Sequence, residues 1–351
     1  MDTVTLWREL SNFTMTLPSD LFYPLIALAT MVTAASLIIY LKYPVLLLQF
    51  YFRFSVLASG MRIKYIKQDG YTICYGEKGK PKKGVLSMLL VHGFTADKFM
   101  WVPLVKSMKG DVHVIAIDLP GHGDSDTPAE HEDIRSHMTT VEKLHKFIQV
   151  VGLTDEPFHL VGMSVGGALA GLYASQHNSI KALTLICPAM QTPYESPFWA
   201  NMKTALDSGI EDIHDACSLL FPQTSDEVQS MLDFVQYHKM FVPTQILQGV
   251  VDVRKKYYPF YKRLFSTLVD PDNHCLLESF AHKIKAPTQV IWGENDQVID
   301  VSGVSLLKEK LPNCIKVDII PHCGHSITTD RPGALIKAIS GFREMIMSLE
   351  N

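Results

Sequence analysis

The spacing of hydrophobic residues along the chain changes near Gly60. Before Gly60 the chain contains one long apolar run, residues 21–41, in which no side chain is charged. After Gly60, short apolar runs alternate with longer stretches in which apolar residues recur every three or four positions. Such alternation is typical of a parallel β-sheet covered by helices. We therefore predict a long N-terminal helix followed by an α/β domain.

The apolar runs after Gly60 have the length of β-strands. The first two flank Gln68-Asp69-Gly70, a sequence typical of a hairpin turn. The later runs are continuous, which indicates strands buried on both faces of a mostly parallel sheet with helices on either side. The predicted strands are residues 62–67, 71–75, 85–91, 113–117, 158–162, 182–187, 287–292 and 315–320, and residues 132–151 have helical spacing.

The stretch between Met190 and His282 contains no clear strand. It is rich in large apolar residues at helical spacing, and it is far too long for a loop inside a sheet. We interpret residues 191–283 as a helical cap inserted into a core that comprises residues 61–190 and 284–351.

The run at residues 21–41 has the length of a membrane-spanning helix, since at 1.5 Å per residue it covers roughly 30 Å. A signal peptide would have a basic start and a shorter apolar segment, and a buried core helix would be unusual at a terminus. We therefore predict a transmembrane helix at residues 21–41, preceded by a short lumenal or extracellular segment, residues 1–20.

The basic residues around this helix predict its orientation. Only Arg8 precedes it, whereas Lys42, Arg53, Arg62 and further lysines follow before any acidic residue. The excess of positive charge lies on the cytosolic side of membrane proteins, so we expect the catalytic domain in the cytosol. The glycosylation sequon at Asn12 then falls on the opposite side.

Residues 42–60 remain apolar and aromatic. Two interpretations stay open: the segment connects the membrane helix to the domain and packs on it, or it lies in the lipid headgroup region, where tyrosine and phenylalanine are common.

Composition excludes several classes of protein. Hydrophobic residues make up 47% of the chain and charged residues 19%, which excludes a disordered chain. The net charge of −4 shows no basic excess, so we expect no nucleic-acid partner. The cysteines form no C-x-x-C pair, which favours free thiols over a zinc site or a disulfide framework. They are Cys74, Cys187, Cys217, Cys275, Cys314 and Cys323.

The sequence Gly162-Met163-Ser164-Val165-Gly166 matches the pattern G-x-S-x-G. It follows a predicted buried strand and begins a predicted helix rich in alanine, glycine and leucine. In this context the pattern predicts a nucleophile elbow, a strained turn that presents the serine hydroxyl above the sheet and leaves no space for side chains at the glycine positions.

A serine nucleophile requires an imidazole to take its proton and a carboxylate to hold the imidazole. The expected chain order is serine, acid, histidine. The strand at residues 287–292 is followed by Asp296, which we predict as the acid, with Asp300 and Glu294 as alternatives.

The predicted histidine is His325, which follows the last strand in a Cys-Gly-His turn; His322 is the alternative. The backbone N–H groups of Val165 and Phe94 are the predicted oxyanion hole, and His92 is expected to orient the loop that contains Phe94. This chemistry requires no metal or organic cofactor.

These motifs together resemble the α/β-hydrolase superfamily, and the resemblance covers Tyr65 to the C-terminus. The motifs are His92-Gly93-Phe94, Asp118 to Ser125, Gly162 to Gly166, Gly293 to Asp296, and Gly324-His325. The elbow serine excludes the dehalogenases and epoxide hydrolases of this superfamily, which have aspartate there.

A closer resemblance is to the membrane-anchored monoacylglycerol lipases of the α/β-hydrolase domain-containing proteins. It depends on the following segments together with the N-terminal anchor: Gln245 to Gly249, Asp252 to Arg254, Phe158 to Gly162, Gln289 to Gly293, and Asp296 to Val298. It implies hydrolysis of monoacylglycerols, including arachidonoyl species, and of some lysophospholipids. It also implies a triad of Ser164, Asp296 and His325, and an oxyanion hole of Phe94 and Val165, where the family often has methionine.

The sequence thus predicts a membrane-bound serine hydrolase that acts on a lipid ester through an acyl-enzyme. Two alternatives remain: another ester or C–C bond hydrolase of the same fold, and a non-catalytic protein that binds a membrane partner.

Overall fold

An eight-stranded β-sheet organises the computed structural model, which describes residues 19–108, 112–129, 136–209 and 218–349. The strand order is β1-β2-β4-β3-β5-β6-β7-β8. Only β2 runs opposite to the others, so the sheet is mostly parallel, as predicted. The strands are β1 Arg62–Gln68, β2 Tyr71–Lys78, β3 Ser87–Val91, β4 Val114–Ile117, β5 Phe158–Met163, β6 Ile180–Ile186, β7 Thr288–Gly293 and β8 Cys314–Ile320.

The predicted hairpin joins β1 and β2. Asp69 and Gly70 both have positive φ angles, 50° and 83°, as a two-residue hairpin turn that follows the twist of its strands requires.

Burial distinguishes the central strands from the last strand. Every residue of β3, β4, β5 and β7 is buried, which requires cover on both faces of the sheet. We also predicted that residues 315–320 are buried on both faces of the sheet, and this prediction was wrong. They belong to β8, an edge strand on which Ile315 and Ile319 are exposed, because lysine and aspartate interrupt its apolar residues.

Fourteen α-helices lie within the described residues. They are α1 Ser19–Lys42, α2 Pro44–Ala58, α3 Val102–Ser107, α4 His137–Val150, α5 Val165–Gln176, α6 Pro197–Asp207, α7 Ser225–Val235, α8 Thr244–Lys255, α9 Tyr258–Val269, α10 Pro271–His274, α11 Leu276–Phe280, α12 Gly303–Lys310, α13 Ile327–Asp330 and α14 Pro332–Ser348. The predicted helix at residues 132–151 corresponds to α4, and its first residues, like Cys217 and the Asn12 sequon, lie outside the described ranges.

The described part of the segment between β6 and β7 is helical, as its sequence predicts. Its helices α6 to α9 form two apolar clusters that are separate from the core around the sheet. One contains the aromatic residues Phe198, Phe221, Phe260 and Phe265, and the other is centred on Val228 and Leu247.

The N-terminal helix α1 is long and apolar enough to cross a membrane, and its side chains are almost all exposed. The hydroxyls of Thr30 and Thr33 donate to the carbonyls of Ile26 and Ala29, so both polar groups are satisfied inside the helix. These features make α1 a candidate membrane anchor.

Helix α2 has two different faces. Leu48 and Val56 are buried against the domain, where α2 packs on α8. Phe50 and Phe54, which stack on each other, are exposed. The two interpretations of residues 42–60 are therefore compatible with each other. One face of α2 packs on the domain, and the opposite face is free to contact lipid.

Candidate active site

Ser164 lies in the sharp turn between β5 and α5. Its φ of 55° and ψ of −123° are strained for a residue with a side chain. A Cβ atom on Gly162 would lie 2.1 Å from the carbonyl oxygen of Gly166, so the turn closes only with glycine there. Ser164 immediately precedes α5, whose N-terminus carries partial positive charge. The geometry is that of the predicted nucleophile elbow.

His325 and Asp296 form a hydrogen-bonded pair next to this turn. His325 Nδ1 lies 2.7 Å from Asp296 Oδ2, and both residues are buried. The other oxygen of Asp296 accepts hydrogen bonds from the backbone N–H groups of Val298, at 2.8 Å, and Ile299, at 3.0 Å. The carboxylate is therefore fixed in orientation. With Nδ1 donating to Asp296, Nε2 is the ring nitrogen able to accept a proton.

The alternative residues have other contacts. Asp300 accepts a hydrogen bond from the backbone N–H of Ser302, within its own turn. Glu294 is exposed and accepts from the backbone of His322. The ring of His322 packs on Tyr237 at the surface. None of the three joins the pair formed by Asp296 and His325.

The loop after β3 lies directly above Ser164. A Cβ atom on Gly93 would be 3.1 Å from Ser164 Cβ. His92 is fully buried, and both ring nitrogens contact backbone: Nδ1 lies 2.8 Å from the Gly93 oxygen, and Nε2 accepts from Leu119 N–H at 2.9 Å. Burial lowers the pKa of His92 to about 4, so the ring is neutral. Its contacts suit the expected role of orienting the loop.

A buried ion pair that the sequence did not predict involves Lys98, which directly follows the same loop. Lys98 Nζ donates to Asp118 Oδ2 at 2.6 Å and to Asp124 Oδ2 at 2.9 Å. Burial disfavours the ammonium ion, but attraction to Asp118 outweighs this effect and raises the pKa of Lys98. Asp118 directly follows β4, at the carboxyl edge of the sheet, and this position could have indicated a functional role for Asp118. No sequence pattern near Lys98 indicated that its side chain is buried.

Asp330 fixes the turn that contains His325, and the sequence analysis missed it too. Its carboxylate accepts backbone hydrogen bonds from Gly324 at 2.7 Å, Tyr237 at 2.6 Å and His238 at 2.9 Å. Burial alone would raise the pKa of Asp330, but these donors outweigh burial and keep it below its ordinary value. The contacts connect the histidine turn to the end of α7.

A cavity of about 310 Å³ opens over Ser164 and His325. Its walls are mostly apolar and come from two parts of the chain. Gly93, Phe94 and Val165 belong to the sheet side, and Trp199 and Met231 belong to the helical segment between β6 and β7. Phe94 and Val165, the predicted oxyanion-hole residues, thus line the same apolar cavity as Ser164.

Among the residues that the structure describes, two clusters contain potential metal ligands, but neither suits a cation. In the first, the ligand atoms of Cys187, Asp296 and His325 lie within 4.8 Å of one another. Burial, reinforced by Asp296, raises the pKa of Cys187 well above its ordinary value, and a protonated thiol is a poor ligand. In the second, the Lys98 ammonium already lies between the carboxylates of Asp118 and Asp124.

Comparison with known proteins identifies relatives over most of the chain. The family model described as "alpha/beta hydrolase fold" matches residues 87–332. The chain is 39% identical over 314 residues to monoacylglycerol lipase abhd6-A of Xenopus laevis, covering 89% of this chain and 91% of the relative. It is 36% identical over 315 residues to human monoacylglycerol lipase ABHD6, with the same coverage.

Solved structures share the fold. A bacterial membrane phospholipase A, described as a virulence factor, is 27% identical with a TM-score of 0.76 over 92% of this chain and 98% of its own. A putative lipase from Acinetobacter baumannii is 24% identical with a TM-score of 0.74, over 86% of this chain and 96% of its own. The predicted fold and family resemblance are confirmed.

Proposed function

The chain belongs to the alpha/beta hydrolase fold family, and on this premise we propose that it cleaves monoacylglycerols to fatty acid and glycerol in a membrane, and accepts lysophospholipids as further substrates. The observation that carries the proposal is the strained Ser164 turn beside the His325–Asp296 pair, at the base of an apolar cavity. The relatives named monoacylglycerol lipase support the choice of substrate.

In this proposal Ser164 Oγ attacks the ester carbonyl while His325 Nε2 takes its proton. Asp296 holds the imidazole and stabilises its charged form. The backbone N–H groups of Phe94 and Val165 stabilise the oxyanion, with help from the positive end of α5. His325 then protonates the departing glycerol, and a water molecule activated by His325 releases the fatty acid from Ser164. Every step uses protein groups and water.

The apolar lining suits an acyl chain. Phe198, Trp199, Leu220 and Met231 line the cavity from the helical segment. We propose that residues 191–283 act as a cap that covers the acyl chain, on a hydrolase core of residues 61–190 and 284–351. The apolar surface removed from water on binding would provide most of the affinity.

The anchor places the domain next to its substrate. We propose that α1 crosses the bilayer with residues 1–20 on the lumenal or extracellular side and the catalytic domain in the cytosol, since basic residues follow the helix. The exposed aromatic face of α2 would lie in the headgroup layer of that cytosolic leaflet.

Fluorophosphonate labelling and monoacylglycerol hydrolysis test the proposal together. We expect the wild-type chain in detergent micelles to label and to release fatty acid, and Ser164→Ala to do neither. Ser305→Ala, which changes an exposed serine on α12, is the matched control and should behave as wild type. Equal hydrolysis by wild type and Ser164→Ala would disprove the proposed nucleophile. Labelling without hydrolysis of any monoacylglycerol would disprove the proposed substrate.

A further inference from the structure

We propose that Arg254 is a positioning residue that holds the oxyanion-hole loop in place through a hydrogen bond to Thr95. Arg254 lies near the end of α8, far from Thr95 in the sequence, and both line the cavity over Ser164. Thr95 directly follows Phe94, whose backbone N–H is a proposed oxyanion donor. The inference rests on the proposed ester hydrolysis and deepens it.

The contacts of Arg254 fix its guanidinium group. One terminal nitrogen, Nη2, donates to Thr95 Oγ1 at 2.8 Å and to the Leu220 carbonyl at 3.0 Å. The other, Nη1, lies 3.2 Å from the sulfur of Met231. The guanidinium therefore joins the loop after β3 to two parts of the helical segment.

No carboxylate in the described part of the chain pairs with Arg254, and its buried Nε has no hydrogen-bond partner there. Burial lowers the pKa of Arg254 below its ordinary value, which reflects the cost of holding this cation away from water. A buried charge with incomplete pairing destabilises a fold. Its presence at the cavity wall is explained if the contact with Thr95 serves catalysis.

Thr95 needs support because of its backbone. Its φ of 56° lies in the left-handed region, which is unfavourable for a β-branched residue. Such conformations persist only where surrounding contacts hold them, and they cluster at active sites. If Thr95 relaxed to negative φ, the adjoining backbone of Phe94 would move relative to Ser164. The hydrogen bond from Arg254 opposes this relaxation.

The helix that carries Arg254 is held from its other side by the N-terminal helices. The Tyr40 hydroxyl of α1 lies 3.0 Å from Gln245 Oε1. A Cβ atom on Gly249 would lie 2.7 Å from Leu48 Cδ1 of α2, so α8 and α2 are in close contact. These contacts fix the position of α8, and therefore the position from which Arg254 donates to Thr95.

Substitutions at both ends of the hydrogen bond test the proposal in the full chain. Arg254→Met keeps an unbranched apolar stem but removes the guanidinium, and Thr95→Val keeps the shape of the side chain but removes the hydroxyl. We expect each to lower kcat for monoacylglycerol, and the labelling rate of Ser164 by a fluorophosphonate, by about tenfold to a hundredfold, because small displacements at a reaction centre have such effects. KM should stay within about twofold, since substrate binding is not the affected step.

The double variant and the rescue variant separate positioning from general structural support. Arg254→Met/Thr95→Val should be no slower than the slower single variant, because both changes break one interaction. Thr95→Ser should restore most of the rate. Asp252→Asn, on the exposed side of α8, is the matched control and should match wild type.

Three results would overturn the proposal: a wild-type rate in Thr95→Val, a double variant whose loss is the product of the single losses, or a raised KM with unchanged kcat in Arg254→Met. If Arg254→Met does not fold, Thr95→Val and Thr95→Ser still decide the question. Labelling rates report on the oxyanion hole even if monoacylglycerol is not the substrate, so failure of the two proposals can be distinguished.

Discussion

Single residues that are close in the sequence can have very different environments, as Asp296 and Asp300 show. Asp296 is buried, accepts two backbone hydrogen bonds and pairs with His325, whereas Asp300 only closes its own turn. Both follow β7, and the sequence alone could not separate them completely. The direction of each side chain decides between them.

Replacing each aspartate by asparagine should therefore have unequal effects. We expect Asp296→Asn to lower kcat by about four orders of magnitude, because an amide stabilises the wrong imidazole tautomer and cannot stabilise the charged form. Asp300→Asn is the control and should retain nearly the full rate. Steady-state hydrolysis of a monoacylglycerol measures both. A large loss in Asp300→Asn, with Asp296→Asn active, would assign the acid to the other residue.

Buried neutral histidines predict a pH-dependent stability. His122 packs among the rings of His92, Phe260 and Tyr261, and burial lowers its pKa to about 3. The unfolded chain would protonate it near 6.5, so between these values the unfolded state binds more protons and stability falls as pH falls. For His122 alone, the free energy of unfolding should decrease by about 2 kcal/mol from pH 7.5 to pH 5.

His122→Phe should make this dependence shallower by that amount, because phenylalanine fits an aromatic site and does not titrate. Urea-induced unfolding in detergent at the two pH values measures the difference. His282→Phe, in the short turn before β7, is the control for removing a histidine without removing a buried one. An unchanged pH dependence in His122→Phe would show that His122 does not protonate on unfolding in this range.

The candidate site residues that could be predicted from the sequence lie just after the ends of β-strands. Ser164, Asp296 and His325 each follow a predicted strand, and the carboxyl ends of parallel strands meet at one edge of the sheet. Arg254 could not be predicted in the same way. Its partner Thr95 is far away in the chain, and no local pattern indicates a contact that depends on how α8 packs.

At the level of elements, β-strands in the middle of the sheet could be predicted well, since burial on both faces leaves a continuous apolar run. We predicted that β8 is buried on both faces, and this was wrong. β8 lies at the edge of the sheet, is partly exposed, and has Lys316 and Asp318 between its apolar residues. Helix α2 could not be predicted in full, since both of its faces are apolar and only packing on α8 shows which one is free.

The free face of α2 leads to a prediction about membrane binding. In a chain that lacks residues 1–42, we expect α2 to retain partial binding to lipid vesicles, and Phe50→Glu/Phe54→Glu to abolish it, since charges disfavour burial in the headgroup and acyl boundary. Co-sedimentation with vesicles measures the bound fraction. Val150→Glu, which adds a charge at an exposed apolar position on α4, is the control. Equal sedimentation of the doubly substituted and parent chains would rule out this contact.

At the level of the whole molecule, the N-terminal helix and the cavity have separate functions in our proposal. In the proposed function, the candidate anchor α1 concentrates the domain at a surface where lipid esters collect, and the residues around the cavity over Ser164 carry out the hydrolysis. The order of these parts could be predicted from the sequence, because the apolar run, the strands and the helical insertion are separate segments. The way in which the helical segment lines the cavity depends on tertiary contacts, so it could not be predicted from the sequence.

Removal of residues 1–42 should separate the two functions. We expect most of the rate with a short water-soluble ester to remain, because the proposed catalytic residues are unchanged and α2 still packs on α8 after the Tyr40 contact of α1 is lost. The rate with monoacylglycerol in vesicles should fall, because only the partial binding by α2 then keeps the enzyme at the bilayer. Comparing both substrates on both chains measures this. A parallel loss on the soluble ester would show that α1 also supports the folded catalytic domain.

The close approach of Gly249 to Leu48 limits how such a protein can diversify. A chimaera that received its first two helices from another enzyme would need a compatible surface on α8, because a side chain at position 249 would meet both Leu48 and the backbone of Pro44. Mutational drift at positions 48 and 249 should therefore be correlated among descendants of this gene. We therefore expect exchange of the first two helices without α8 to select for compensating changes at this contact.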